Sequence, residues 1–339
     1  MSKLIKFAAL IIILILLLFI IVYLSTQTSP KVQYNLPAPS NVDSITENHP
    51  MFIESLRNRD YPSSQLNIEE TLTDGSNFHR YIASYQSDNL KIYGLLTIPT
   101  ATQPETGFPT ILFLHGYIDP SVYKTTEGYE ASQNAFARSN FITFKPDFRG
   151  HGKSEGEASG AHFSENYVVD TLHALKALQQ HEQVDSQRIG VWGHSNGGEI
   201  GLRAMVISNQ IKAGVFWAGV VGSFQDMLET YIQQIPFLKR QQQQVFEQYS
   251  SPSAHPKFWN QLDPYTYLQD ISGPVQLHHG TGDEQVPVEL SQHLEQELQK
   301  LEKSVELFEY QGADHNLSGS AFNTAVLRSV QFFKQELSR

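Results

Sequence analysis

A serine flanked by glycines, Gly193-His194-Ser195-Asn196-Gly197-Gly198, lies where an apolar run ending at Trp192 gives way to helix-period residues from Gly197 to Ile207. A strand-to-helix turn this sharp needs glycine on both sides, because a Cβ there would meet neighbouring backbone. Such a turn lifts the Ser195 hydroxyl above the strand end, where a nucleophile belongs. Gly152-Lys153-Ser154-Glu155-Gly156 repeats the spacing, but polar residues rather than an apolar helix follow it, so context selects Ser195. Gly152-Lys153-Ser154 also ends like a phosphate-binding loop. Asp147 stands where that loop needs glycine, and no helix starts at the lysine, which argues against a nucleotide hydrolase.

A serine hydroxyl is a weak nucleophile at neutral pH and needs a histidine base held by a carboxylate. In the fold that such an elbow resembles, the triad order is nucleophile, then acid, then histidine, so the base is expected after the last strand. Of the 13 histidines, His315 lies in a loop directly after the apolar run Val305–Glu309, whereas His293 sits inside the helical stretch Val288–Leu301. The acid is expected at Asp283, after Val275–His278 and a Gly turn, with Glu284 as near rival and Asp263 and Asp270 as distant ones. Asp314 reads as a turn residue. The developing oxyanion needs two backbone N–H donors. Asn196, directly after the nucleophile, supplies one. Tyr117, in the turn His115-Gly116-Tyr117, supplies the other. Gly193 and Gly197 form the elbow itself. His115, Gly116, His194 and Glu199 read as shaping or packing residues.

These residues need a frame that brings strand ends together. His79–Gln86 and Leu90–Ile98 read as a hairpin closed by Ser87-Asp88-Asn89. Apolar runs then recur at Thr110–His115, Phe141–Lys145, Arg188–Trp192, Ile211–Trp217, Val275–His278 and Val305–Glu309. Helix-period stretches lie at Tyr167–Gln180, Gly197–Ile207, Val288–Leu301 and Ala321–Leu337. Apolar strands alternating with helices predict an α/β fold with a mostly parallel central sheet and helices on both faces. Chemistry in such sheets gathers at the carboxyl ends of the strands. Asp147-Phe148-Arg149-Gly150-His151-Gly152 follows one of these ends and reads as a structural loop beside the site. Gly222 to about Leu268 interrupts the alternation with Met227, Leu228, Tyr231, Ile232, Ile235, Phe237 and Leu238. It predicts a helical cap insertion (222–268) that either lines an acyl or leaving-group pocket or packs on the rim.

Composition narrows the function classes. The chain has 339 residues with a net charge of −11, so no basic surplus exists to neutralise phosphates and no nucleic-acid partner is expected. It has no cysteine, which removes disulfide scaffolds, thiolate metal sites and cysteine nucleophiles. No cofactor and no metal are expected.

Residues Phe7 to Leu24 carry no charge, and Lys3 and Lys6 precede them. At ~1.5 Å per residue this run is about 27 Å long, close to the hydrocarbon thickness of a bilayer. Tyr23-Leu24-Ser25-Thr26-Gln27 offers no small-x-small cleavage site, so a retained transmembrane anchor is expected over a cleaved signal peptide. The positive-inside rule then places the rest outside the cytoplasm. The expected organisation is an anchor over 1–24 with residues 7–24 in the lipid bilayer, a stalk over 25–50 with Pro30, Pro37, Pro39 and Pro50, and one catalytic domain over 51–339.

The motifs His115-Gly116, Asp147-x-Arg149-Gly150-x-Gly152-x-Ser154, Gly193-x-Ser195-x-Gly197-Gly198, Gly282-Asp283-x-x-Val286-Pro287 and His315 occur in this order. Together they resemble an α/β-hydrolase from about Phe78 to the C-terminus. The double glycine after Ser195, and His279-Gly280-x-x-Asp283-x-x-Val286-Pro287, are most similar to the catalytic domains of the prolyl oligopeptidase family. Dienelactone hydrolase-like and acyl esterase domains come close behind. The resemblance implies a serine hydrolase with the triad Ser195, Asp283 and His315. Full-length prolyl oligopeptidases carry an N-terminal β-propeller, and with about 80 residues before the hydrolase domain, the first 50 read as anchor and stalk, none is expected here. The expected substrate is therefore a small ester, with a short peptide as the alternative. A catalytically silent binding protein of the same fold is a second alternative, and no triad member is missing here.

Overall fold

The computed structural model describes residues 48–338. The expected anchor and nearly all of the expected stalk lie outside them. Among the described residues no helix is long and apolar enough to cross a membrane.

The chain opens with a short helix, α1 (Ile53–Arg57), and three antiparallel strands, β1 (Asn67–Thr71), β2 (Phe78–Ser87) and β3 (Leu90–Pro99). The β2–β3 hairpin closes where Ser87 pairs Leu90, with Asp88 and Asn89 at φ of 52° and 67°. Short polar side chains tolerate this left-handed pair best, and its twist suits a two-residue hairpin. The chain then alternates through β4 (Phe108–Leu114), α2 (Glu130–Arg138), β5 (Ile142–Pro146), α3 (Asn166–Gln179), β6 (Val184–His194), α4 (Asn196–Ile207) and β7 (Gly214–Trp217). After the insertion come β8 (Val275–Gly280), α7 (Val288–Lys300), β9 (Val305–Tyr310) and α8 (Ser320–Glu336).

Among the described residues, nine strands form one sheet in the order β1-β2-β3-β5-β4-β6-β7-β8-β9. β5, β4, β6, β7, β8 and β9 run parallel, and β3 joins them antiparallel through β5. The chain moves from β4 to β5 on one side and then crosses to β6 on the other. The β4 and β6 ends therefore flank the crevice where open sheets place their ligands.

Side-chain alternation sorts each strand between two cores. Leu112 and Leu114 of β4 face α3, α4 and α7, while Ile111 and Phe113 face α2 and α8. Phe216 of β7 takes the first face, Val215 and Trp217 the second. Each such fully buried large apolar side chain contributes ~1.5–3 kcal/mol relative to exposure. This is the α/β-hydrolase-like architecture expected, with local corrections. The run read from Ile211 pairs only from Gly214, because Ile211 to Ala213 approach the sheet as a connection. β6 extends back to Val184. β1, whose residues are all exposed, has no apolar period to reveal it.

The insertion forms a π-helical turn (Asp226–Thr230), a 3₁₀ turn (Ile232–Gln234), α5 (Pro236–Tyr249), α6 (Pro256–Leu262) and a second 3₁₀ turn (Pro264–Asp270). Met227, Leu228, Ile232, Ile235 and Leu238 are buried in a third core with Trp259, Met51 and Phe52. These side chains therefore hold the cap together rather than line an open pocket. The chain entering the domain is built into it: Met51 O accepts from Arg203 Nη2 at 3.2 Å, and Arg57 donates to Val206 O.

Candidate active site

Ser195 sits between β6 and α4 at φ 55°, ψ −121°. A non-glycine residue there costs ~1–3 kcal/mol and persists only when its surroundings hold it. Three hydrogen bonds do so. Ser195 N–H donates to Trp217 O at 3.0 Å, and Ser195 O accepts from Gly198 N at 2.9 Å and Val220 N at 3.1 Å. The flanking glycines are a steric necessity. A Cβ on Gly193 would lie 2.2 Å from Gly197 O, and one on Gly197 would lie 2.0 Å from Leu114 O.

Asp283 lies in the turn after β8, and His315 in the loop after β9. His315 Nδ1 donates to Asp283 Oδ2 at 2.7 Å, with both side chains almost fully buried. Gln285 and Val286 N–H donate to Oδ1 at 2.8 and 3.0 Å. His279 Nε2 lies 3.2 Å from Oδ2. Burial by itself would raise the Asp283 pKa, but hydrogen bonds from His279 and His315 outweigh it and hold the carboxyl well below its usual range. The two loops are also stitched through backbone: Thr281 N–H donates to Tyr310 O and Gly282 N–H to Ala313 O, each at 3.0 Å.

Ser195 and His315 meet through their neighbours. The His194 and His315 rings are 4.7 Å apart between centroids, and His194 Nε2 lies 2.9 Å from His315 O. Asn196 opens α4, where the first N–H groups of a helix have no intrahelical acceptor. Its side-chain Oδ1 accepts from His162 Nε2 at 3.2 Å. Burial pushes His162 down to about 4, so the ring is neutral. Tyr117 follows Gly116, whose Cβ position lies 3.0 Å from Ser195 Cβ. The Tyr117 side chain is 58% exposed.

The rival residues lie elsewhere. Ser154 Oγ accepts from Tyr93 N–H at 2.9 Å and ties its loop to β3. His293 faces Asp226 of the cap at 3.5 Å. Asp263 accepts from Phe224 and Tyr265 N–H, Asp270 pairs with Arg57 at the surface, and Asp314 accepts from Ser318 N–H. Glu284 is exposed. The loop after β5 is structural: Arg149 Nη2 reaches Asp170 Oδ1 at 2.7 Å, and Arg149 N–H reaches Oδ2 at 2.9 Å.

Three contributors escaped the sequence reading. His279 and His162 stand beside motifs without belonging to the expected chemistry, and Tyr129, whose Oη accepts from Gly116 N–H at 2.9 Å, lies in a stretch with no motif. The only signal was the His279-Gly280 pair, which marked a resemblance but not a contact.

Asp147 and Lys145 are both buried and are linked through the Tyr123 hydroxyl. Tyr123 Oη and Thr125 Oγ1 donate to Asp147 at 2.8 and 2.5 Å, and Lys145 Nζ donates to Tyr123 Oη at 3.2 Å. Burial pushes Lys145 down to about 8. These contacts anchor the connection between β4 and α2.

A serine at a strained turn, a histidine held by an ionised carboxylate and helix-terminal N–H groups can together perform acyl transfer. The profile of the prolyl oligopeptidase family matches residues 128–339 of this chain. A Bacillus subtilis protein described as the uncharacterized peptidase YtmA is 31% identical over 255 residues, spanning 75% of this chain and 93% of its own length. Among solved structures, the acetyl xylan esterase from Paenibacillus sp. R4 superposes with a TM-score of 0.64 at 18% identity, over 84% of this chain and 92% of the esterase. A Mycobacterium tuberculosis puromycin-hydrolysing peptidase gives 0.60 at 21% identity, over 76% of this chain but only 39% of the peptidase. At these identities the two structures speak for the fold alone.

Proposed function

The chain belongs to the prolyl oligopeptidase family and is a serine hydrolase, and from that premise we propose that it cleaves small acyl esters through Ser195, His315 and Asp283. The observation that carries the assignment is the buried His315–Asp283 hydrogen bond beside the strained Ser195 turn. His315 Nε2 takes the Ser195 proton as Oγ attacks the acyl carbon, and Asp283 steadies the imidazolium. The oxyanion points to Asn196 and Tyr117 N–H. Collapse expels the leaving group with the proton from His315, and water resolves the acyl-enzyme by the same steps.

Ester cleavage is preferred on chemical grounds. An alkoxide or aryloxide leaves readily, whereas an amine must be protonated and positioned first. The acetyl xylan esterase shows that a fold of this extent can house an ester-cleaving enzyme. A peptidase on short peptides is the second reading, supported by the family match and by YtmA. The proposed place of action is the outer side of the cell membrane, with residues 7–24 as anchor.

A panel of short-chain aryl esters and aminoacyl-arylamides, assayed with wild type and Ser195→Ala, tests the proposal. The highest kcat/KM should fall on a short ester and vanish in the variant. A dipeptidyl arylamide with a higher kcat/KM than any ester would establish the peptidase reading instead.

A further inference from the structure

We propose that Tyr129 and His194 are positioning residues that lock the oxyanion turn to the loop carrying His315 through one continuous chain of hydrogen bonds. The inference rests on the reading of Ser195, His315 and Asp283 as the reacting groups.

Gly116 N–H donates to Tyr129 Oη at 2.9 Å, Tyr129 Oη lies 2.8 Å from His194 Nδ1, and His194 Nε2 lies 2.9 Å from His315 O. The direction of every proton follows. A backbone carbonyl only accepts, so His194 carries its proton on Nε2. Burial, and next the neighbouring His315 imidazole, push His194 down to about 4. The ring is therefore neutral, and Nδ1 is an acceptor. Burial pushes the Tyr129 phenol above its usual range, so it keeps its proton. With Gly116 N–H already donating to that oxygen, the phenol proton goes to Nδ1.

Two features show that the backbone is bent to this purpose. Tyr129 sits at φ 58°, in the left-handed region that a tyrosine seldom occupies. A Cβ on Gly116 would lie 2.7 Å from Tyr129 Oη, 3.0 Å from Ser195 Cβ and 3.2 Å from His194 Nδ1. Glycine alone lets the three groups converge.

The chain joins the turn after β4, the end of β6 and the loop after β9, segments remote from one another in sequence. His315 Nδ1 extends it to Asp283. With both nitrogens engaged and a low basicity, His194 is a strut and not a second base. Gly116 N–H is committed to Tyr129, so the oxyanion donor on that turn falls to its neighbour Tyr117.

Tyr129→Phe keeps the ring and its packing on Trp192, 5.8 Å between centroids, and removes only the hydroxyl. We expect kcat to fall ~10- to 100-fold with KM changed less than about threefold. Labelling of Ser195 by a fluorophosphonate should slow in parallel while far-UV circular dichroism stays that of wild type. His194→Gln, whose amide N–H reaches the same carbonyl, should recover part of what His194→Ala loses. Wild-type kcat in Tyr129→Phe, with wild type labelled and Ser195→Ala not, overturns the inference and leaves the hydrolase reading standing. An unlabelled wild type overturns that reading itself. Nitrogen-15 NMR of wild type then decides on the hydrogen-bond chain, as it does if a variant fails to fold. His194 should stay neutral with its proton on Nε2 from about pH 6 to about pH 9. A proton on Nδ1, or titration within that range, overturns the chain.

Discussion

His279 Nε2 sits 3.2 Å from Asp283 Oδ2, the same carboxylate oxygen that His315 Nδ1 reaches at 2.7 Å. The second imidazole is itself fixed, with Nδ1 2.7 Å from Ser291 Oγ and Nε2 3.0 Å from Val286 O. The Asp283 carboxylate is thus contacted by imidazoles from two sides, and under the proposed mechanism it would need little reorganisation during the reaction.

Replacing His279 tests this arrangement. His279→Ala should cost ~1–3 kcal/mol of stability and lower kcat ~10-fold, because the hydrogen bonds to Val286 O and Ser291 Oγ and the polar contact on the Asp283 carboxylate are lost together. His279→Gln, which keeps a donor, should recover part of both. The Asp283 pKa is depressed in the folded state, so its stabilisation is present above the ordinary carboxylate pKa and is lost as pH falls through the native value. The stability gap between wild type and His279→Ala should therefore be full at neutral pH and narrow below about pH 4. Thermal melts across pH check this.

The two serines with glycine spacing should part cleanly. Ser195→Ala should remove ~10³-fold or more of kcat at unchanged Tm, because the covalent route disappears. His315→Ala should match it. Ser154→Ala should keep catalysis and cost about 1 kcal/mol, since its Oγ only accepts Tyr93 N–H. Activity lost at Ser154 and kept at Ser195 would reverse the assignment.

Glu199, one turn into α4, gives a second pH signature. Neither carboxylate oxygen accepts a hydrogen bond among the described residues, and Arg203 approaches only to 3.5 Å. Burial pushes Glu199 up to about 7. The native state then holds a proton that the unfolded chain releases, so stability falls as pH rises from the ordinary glutamate value to about 7. The decline should total on the order of 3 kcal/mol. Glu199→Gln should flatten it, and chemical denaturation at pH 5 and pH 8 measures the difference.

The cap makes a prediction about stability rather than selectivity. Leu228 is fully buried among Met227, Ile232 and Leu238. Leu228→Ala should cost ~2–5 kcal/mol through the cavity it leaves. The ranking of acyl esters by KM should stay the same. A changed ranking at wild-type stability would mean that this face lines the pocket after all.

Truncation should show where the globular unit starts. Removal of residues 1–47 should leave a folded, active enzyme; under the proposed anchor over residues 7–24, the full chain should stay with membranes through a carbonate wash and the truncated protein should not. Removal of 1–58 should not fold, because Met51 and Phe52 fill the cap core and Arg57 bonds Val206 O. Expression and circular dichroism of the two proteins compare them.

Much of this protein was determined locally and could be read from the chain. The Gly193–Gly197 spacing dictates a turn that only glycine permits, and the order of apolar runs dictates a parallel sheet with its chemistry at the strand ends. Asp283 and His315 follow from that order, because each stands directly after a strand. The Asp88-Asn89 turn follows from the preference of those two residues for left-handed backbone. What the sequence could not supply was distance between segments far apart in the chain. Tyr129, His194 and His315 carry no shared motif and come within hydrogen-bond reach only when β4, β6 and β9 are stacked in register. The apolar residues of the insertion have the same period whether they face a pocket or one another. Only tertiary packing decides between the two, because burial against Trp259 and Phe52 is a property of the assembled surface and not of the helix that presents it.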